Sequence, residues 1–281
     1  MGNAMIHFLN ITNELPAMKR ELSPTQMTIL RHFFTMPAPS VYPELRDLNF
    51  ELKMREQILA AAQSLNGSGA SFAVFEHSRC NPQFWQREQS GGFRLRPDRT
   101  PAAALRDIFS NGQLYAFECA TAIVIVLYKA TLEMIGEKAY NRLFANTILF
   151  HWNVDQDLGL TTIRTRQFIP GDVLYFDNPE VHPLTPQWQG ENVVFMGNGL
   201  YYGHGVGIRS AREIIMALNS KRAPFAMQSA YLLDQASRPD YVRLSQVAAA
   251  SPESATVSGE PSVAGAWPWR TTIGNRLTLY M

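Results

Sequence analysis

Cysteine is nearly absent from this sequence: 281 residues contain two, Cys80 and Cys119. So few exclude the disulfide framework of small secreted domains and point to a reducing compartment. They lie far apart with no close pair of histidines, so there is no zinc signature. Charge imbalance is absent too. Lys plus Arg number 25 and Asp plus Glu 24, a formal net charge of +1, which argues against an electrostatic nucleic-acid binder. The longest apolar run, Cys119 to Tyr128, stops at Lys129. That is about half the length a bilayer span needs, so it reads as a core helix. The start, Met1-Gly2-Asn3-Ala4-Met5-Ile6-His7, has no basic segment followed by an apolar one, and position 6 is not Ser or Thr. Neither a secretory leader nor a myristoyl anchor is expected. No glycine-rich phosphate loop follows a strand. Asp155-Gln156-Asp157 opens like a calcium loop. Gly159 and Arg166 then stand where a third ligand and a closing Glu are required, which excludes that loop. No metal or cofactor is expected.

What is present is 46% hydrophobic residues, enough for one large core. The first 40 residues read as irregular, with a helix near Pro24–Phe34. Apolar spacing predicts a helix over 43–65, closed by Gly67 and Gly69. A strand is predicted at Ser71–Glu76, and a hairpin joins Phe84–Arg87 to Phe93–Arg96 around Gly91-Gly92. Thr100-Pro101 starts a helix to Ser110. A long apolar helix starts at Cys119 and ends near Gly136, and a short one covers Glu137–Phe144. Strands follow at Thr147–Trp152, Thr161–Phe168, Val173–Phe176, Asn192–Met196 and Leu200–Gly203. Ser210-Ala211-Arg212-Glu213 is a capping box opening a helix to Asn219, and Phe225–Gln235 is read as helical. Helices first and strands after argue for an α+β fold. Residues 1–247 are expected to form one catalytic domain. Residues 248–266, mostly Ala, Ser, Pro, Gly and Val, are expected to be a flexible linker before an apolar-aromatic tail, 267–281.

The segment Tyr115-Ala116-Phe117-Glu118-Cys119-Ala120-Thr121-Ala122-Ile123-Val124-Ile125-Val126 sets a cysteine with an acidic neighbour where a loop turns into an apolar helix. Helix N-termini present unpaired N–H groups and partial positive charge. That field favours the nucleophilic thiolate, and the same N–H groups suit the oxyanion of a tetrahedral intermediate. The pattern fits a cysteine acyl-transfer enzyme; it also fits a buried structural cysteine. A thiolate needs a proton acceptor and a group to orient it. Glu191 starts one strand and His204, in Gly203-His204-Gly205, ends the next. The turn Gly197-Asn198-Gly199 joins them as a hairpin, which brings both to one end of adjacent antiparallel strands. A nucleophilic cysteine on a helix packed against a following antiparallel sheet is the papain-like arrangement. Cys80 reads as an incidental loop thiol, and His7, His32, His77, His151 and His182 have weaker contexts than His204.

Specific blocks resemble a known family: Phe50-Glu51-Leu52-Lys53, Ala104-Leu105-Arg106-Asp107-Ile108, the Tyr115–Ile125 segment, Gly171-Asp172, Leu174-Tyr175-Phe176, Asn178-Pro179-Glu180, Gln187-Trp188, Gly190-Glu191-Asn192-Val193, His204-Gly205 and Gln228-Ser229-Ala230-Tyr231-Leu232-Leu233. Over roughly 40–240 the chain resembles the small protein-glutamine γ-glutamyltransferases of spore-forming bacteria, the spore-coat transglutaminases. The resemblance implies a papain-like core related to the cell-wall cysteine hydrolases. It implies calcium-independent crosslinking of Gln to Lys in spore-coat proteins, after synthesis in the mother-cell cytoplasm, by a monomer that needs neither nucleic acid nor membrane. The nucleophile maps to Cys119 and the acidic partner to Glu191, a role Glu118 can share. His204 maps to a histidine lining the active site. Phe72, Trp152, Trp188 and Tyr202 are the candidate aromatic walls that would exclude water and pack on lysine methylenes. Two other readings remain: a cysteine hydrolase on the same fold, and a non-catalytic coat scaffold.

Overall fold

In the computed structural model the described residues are 6–8, 22–36, 40–251, 270–273 and 276–279. The elements in chain order are β1 (Ile6–Phe8), α1 (Pro24–Phe33), β2 (Ser40–Tyr42), α2 (Leu45–Gly67), β3 (Ser71–Phe72), β4 (Trp85–Arg87), β5 (Phe93–Leu95), α3 (Pro101–Ser110), β6 (Ala116–Phe117), α4 (Cys119–Ile135), α5 (Glu137–Leu143) and β7 (Ile148–Leu149). They continue through β8 (Thr161–Arg164), β9 (Val173–Asp177), β10 (Gly190–Gly197), β11 (Leu200–Gly203), β12 (Gly207–Ser210), α6 (Ala211–Asn219), β13 (Tyr231–Leu232), β14 (Gln235–Arg238), α7 (Tyr241–Ala249), β15 (Arg270–Ile273) and β16 (Arg276–Leu279).

The fold is α+β, with helices packed on an antiparallel sheet. Helix α4 is buried on every face from Cys119 to Tyr128, as an all-apolar helix must be. Helix α2 packs along it, and α4 lies against β10. The main sheet runs β12-β11-β10-β9-β14-β8, with β13 also on β9. The predicted hairpin is present: Val193 pairs with Gly203 and Val194 with Tyr202. A short parallel pair aligns Ser71 with Ala116 and Phe72 with Phe117. It sets Phe72 beside the residue that precedes Glu118. Among the described residues no helix is long and apolar enough to cross a membrane.

One charged group is built into the core. Arg55 of α2 is fully buried. It donates to Glu51 Oε1 at 2.8 Å and Asp172 Oδ1 at 2.8 Å, while Arg238 holds Asp172 through Oδ1 at 2.8 Å and Oδ2 at 2.7 Å. The Arg55 guanidinium also lies over Tyr241, 4.9 Å from the ring centroid. This network ties α2, the loop before β9, β14 and α7 together.

The structure corrects several predicted elements. Phe225–Gln235 is not a helix. Phe225 takes φ +65° after Pro224, which breaks any helical run, and the following residues pair with β9, Tyr231 opposite Asp177 and Leu232 opposite Phe176. Sheet pairing outweighs helical propensity there. The strand predicted over Ser71–Glu76 stops at Phe72, and that over Thr147–Trp152 shrinks to Ile148–Leu149 before His151 turns at φ +50°. Helix α7, capped by the Asp240 side chain on Arg243 N, was not predicted. Residues 252–269, most of the expected linker, lie outside the described residues. Within the expected tail, β15 and β16 form a hairpin, with β16 antiparallel to β1 and β1 parallel to β2.

Candidate active site

Cys119 is the first residue of α4, and Glu118 is its N-cap. Both carboxylate oxygens of Glu118 are engaged: Oε2 accepts from Ala120 N and Oε1 from Thr121 N, each at 2.9 Å, and Oε1 also accepts from Thr121 Oγ1 at 3.0 Å. The helix N-terminal field therefore falls on Glu118, not on the sulfur. The buried Cys119 thiol donates to Glu118 Oε2 at 3.6 Å and accepts from Asn192 Nδ2 at 3.4 Å. Burial, reinforced by the Glu191 and Glu118 carboxyls, pushes the thiol well above its ordinary range; the Asn192 amides pull the other way. The resting group is a thiol. The expected pull of the helix end toward thiolate is thus opposed by burial and by the two carboxyls.

Glu191, second residue of β10, pairs with Phe176 on β9. It is buried and its Oε1 has no hydrogen-bond partner. Burial, then the nearby Glu118 charge, raises its carboxyl well above the usual range, against the backbone amide of His204, which favours the ionised form. Burial thus favours the protonated form of both the thiol and this carboxyl. Gly203 leaves room here: a Cβ would stand 2.7 Å from Glu191 Oε1 and from Val206 Cγ2. Gly205 takes φ +102°, and a Cβ there would meet Phe72 at 3.1 Å. The glycines flanking His204 serve close approach.

His204 is brought beside Glu191 by the hairpin, but its ring is fully committed. Nε2 bonds Ser71 O at 3.1 Å, and Nδ1 faces the Tyr202 hydroxyl at 3.3 Å. The ring stacks on Phe117, with centroids 4.7 Å apart. Burial pushes it down to about 4, so the imidazole is neutral near pH 7. With the ring neutral, Nε2–H is the donor to Ser71 and Nδ1 accepts from Tyr202.

The aromatic candidates divide. Phe72 stacks on Trp188 with centroids 5.9 Å apart, and Lys221 Nζ lies over Trp188 at 5.6 Å. Trp152 lines a cavity of about 460 Å³, together with His151, Tyr175 and Asn192 among others. Tyr202 is buried and offers no wall; its hydroxyl serves His204. Asn192, Tyr175 and Thr121 are site residues that sequence reasoning missed. The Tyr175 hydroxyl is raised to about 12 by burial, then by Asp177, Cys119 and Glu191. The available signal was Asn192 itself, an amide opening the apolar run Val193-Val194-Phe195 next to Glu191. Cys80 lies apart in a partly buried loop, its thiol raised to about 11 by burial.

The profile of the family described as protein-glutamine gamma-glutamyltransferase matches residues 5–248. The chain belongs to that family. It is 49% identical to the protein-glutamine gamma-glutamyltransferase of Bacillus mycoides (strain KBAB4) over 202 residues, 72% of this chain and 73% of that one. It is 45% identical to the one from Bacillus cereus (strain B4264) over 234 residues, 83% and 84% of the two chains. Among solved structures it is similar to the transglutaminase from Geobacillus stearothermophilus (without C-terminal extension), with a TM-score of 0.71 and 55% identity, covering 73% of this chain and 98% of that one. As in its family, the enzyme is an acyltransferase acting on protein glutamine. The papain-like core is consistent with the transglutaminase structure.

Proposed function

We propose that this transglutaminase works through a thioester on Cys119. The supporting observation is a buried thiol in contact with one carboxylate, Glu118, and near a second, Glu191, that is buried, has an unbonded oxygen and is shifted toward its protonated form. The thiol proton passes to Glu118 as sulfur attacks the γ-carboxamide carbon. The C–N bond breaks as Glu191 gives its proton to the departing nitrogen, which leaves as ammonia. Glu191, now ionised, takes a proton from the incoming lysine ammonium. The amine attacks the thioester, sulfur leaves and recovers the proton held by Glu118. The last amine proton goes to solvent, and the isopeptide remains.

On this reading His204 is a positioning residue: it presents its amide to Glu191 and anchors β11 to Ser71. Phe72, Trp188 and Trp152 shield the thioester from water. Crosslinking needs no calcium, as the resemblance of the sequence implies. The substrates are spore-coat proteins, as the resemblance of the sequence implies, and the enzyme acts as a monomer.

The test is amine incorporation into a glutamine peptide. Cys119→Ala should abolish it with an unchanged melting temperature, and wild-type activity should persist in chelator. Full activity in the variant would end the proposal. Release of glutamate without amine incorporation would make the protein a hydrolase.

A further inference from the structure

We propose that Asn192 supplies the side-chain donor of the oxyanion hole. The inference rests on Cys119 being the nucleophile. A tetrahedral intermediate needs preorganised donors about 2.7–3.1 Å from its oxygen. The start of a helix would ordinarily supply them. In this protein the supply is spent: of the three amides that open α4, those of Ala120 and Thr121 both donate to Glu118. Only the amide of Cys119 is left at the helix end. The His204 ring, at the end of the hairpin, has both nitrogens bonded elsewhere.

Asn192 meets the requirement. Its Nδ2 donates to the sulfur at 3.4 Å, within reach of an oxygen one bond from the carbon that sulfur attacks. The residue is buried and sits on the inner strand β10, paired with Tyr175 of β9 one position before the ladder with β11 begins at Val193. It also forms part of the wall of the cavity lined by Trp152 and Tyr175, so a substrate entering there meets its amide. Charge movement explains the exchange of partner. As the thiol loses its proton, sulfur is the best acceptor near Asn192. When the Sγ–C bond forms, that charge leaves sulfur and the carbonyl π pair settles on oxygen, and the donor follows. When the C–N bond breaks, the pair returns to the carbonyl and ammonia departs with the proton from Glu191.

The experiment compares two reactions of the same thiol in wild type, Asn192→Ala and Asn192→Ser. Crosslinking of a glutamine peptide to a primary amine builds an oxyanion; alkylation of Cys119 by iodoacetamide, followed by mass spectrometry of the Cys119 peptide, builds none. Both variants should lose about 10²–10³-fold in kcat, with KM within a few-fold and the alkylation rate within tenfold of wild type. A kcat within a few-fold of wild type overturns the proposal. So does an alkylation rate that falls as far as kcat, which would mean that Asn192 only holds the thiol. The serine variant, with a polar atom in the strand, covers the case in which alanine fails to fold. Cys119→Ala keeps the two claims separate: activity there removes the nucleophile itself, whereas a dead Cys119→Ala with an active Asn192→Ala removes only the oxyanion role.

Discussion

Asp172 and Glu191 are buried to the same degree, 0% and 2% exposed, yet their carboxyls are shifted in opposite directions. Burial alone would raise both. Around Asp172, Arg55 and Arg238 overturn it and hold the carboxyl below its usual range, with Ile169 N as a further donor at 2.9 Å. Around Glu191 no cation among the described residues offsets it; the charge that acts on it is the Glu118 carboxylate, and its pKa is raised. One carboxylate is a clamp between α2, β14 and the sheet, shifted toward its ionised form. The other is shifted toward its neutral form and has an unbonded oxygen. A buried charge is tolerated where it is paired, and an unpaired buried group with a shifted pKa marks chemistry.

The sharpest way to break this comparison is to neutralise each group. Glu191→Gln should lower crosslinking by two orders of magnitude or more, since its proton is the one given to the leaving nitrogen; the measurement is kcat for amine incorporation. The same variant should be at least as stable as wild type near pH 8. The folded chain holds Glu191 protonated where the unfolded chain has ionised it, so its burial lowers stability as pH rises above the ordinary carboxylate range of about 4.3. Glutamine carries no such penalty, and the two melting curves should converge near pH 4.

Asp172→Asn should do the reverse. Leaving Arg55 and Arg238 without their partner should cost about 3–5 kcal/mol in urea unfolding. Folded protein should keep its specific activity. Because the folded Asp172 ionises below its unfolded value, its contribution is present above about 3.9 and is lost as pH falls. The gap between variant and wild type should therefore close in acid. Equal destabilisation at all pH values would remove the ionic reading of this cluster.

His204 gives a smaller effect with its own pH signature. Its folded value of about 4 lies below the ordinary 6.5, so stability should fall as pH drops between those values. His204→Gln should flatten that part of the profile. The smallest change is Tyr202→Phe, which removes one hydrogen bond to His204 and should cost about 1 kcal/mol in the same unfolding assay.

Local chemistry was legible in the sequence where it depended on neighbours along the chain. Cys119 at the head of α4, the Ser210–Glu213 capping box and the hairpin that joins Glu191 to His204 all follow from short-range rules, and each is present. What depended on distant partners was not. The Arg55–Asp172 pair spans 117 residues and the Arg238–Asp172 pair 66, and no periodicity reports such a meeting. The short-range pattern places Cys119 at the helix end, but the burial and the carboxyls around its sulfur come from the tertiary fold. Glu118 was weighed as a catalytic group and not as a cap, and a cap consumes the amides and the field that the argument had assigned to the thiol. Phe225–Gln235 failed because the need of β9 for a partner is invisible in a window of eleven residues.

The most direct measurement is the infrared carbonyl stretch of a buried carboxylic acid, taken as the difference between wild type and Glu191→Gln at pH 7. A protonated-carboxyl band present in wild type and missing from the variant is the predicted result. No such band, with Glu191 appearing instead among the ionised carboxylates, would contradict the neutral acid on which the two-carboxyl mechanism stands.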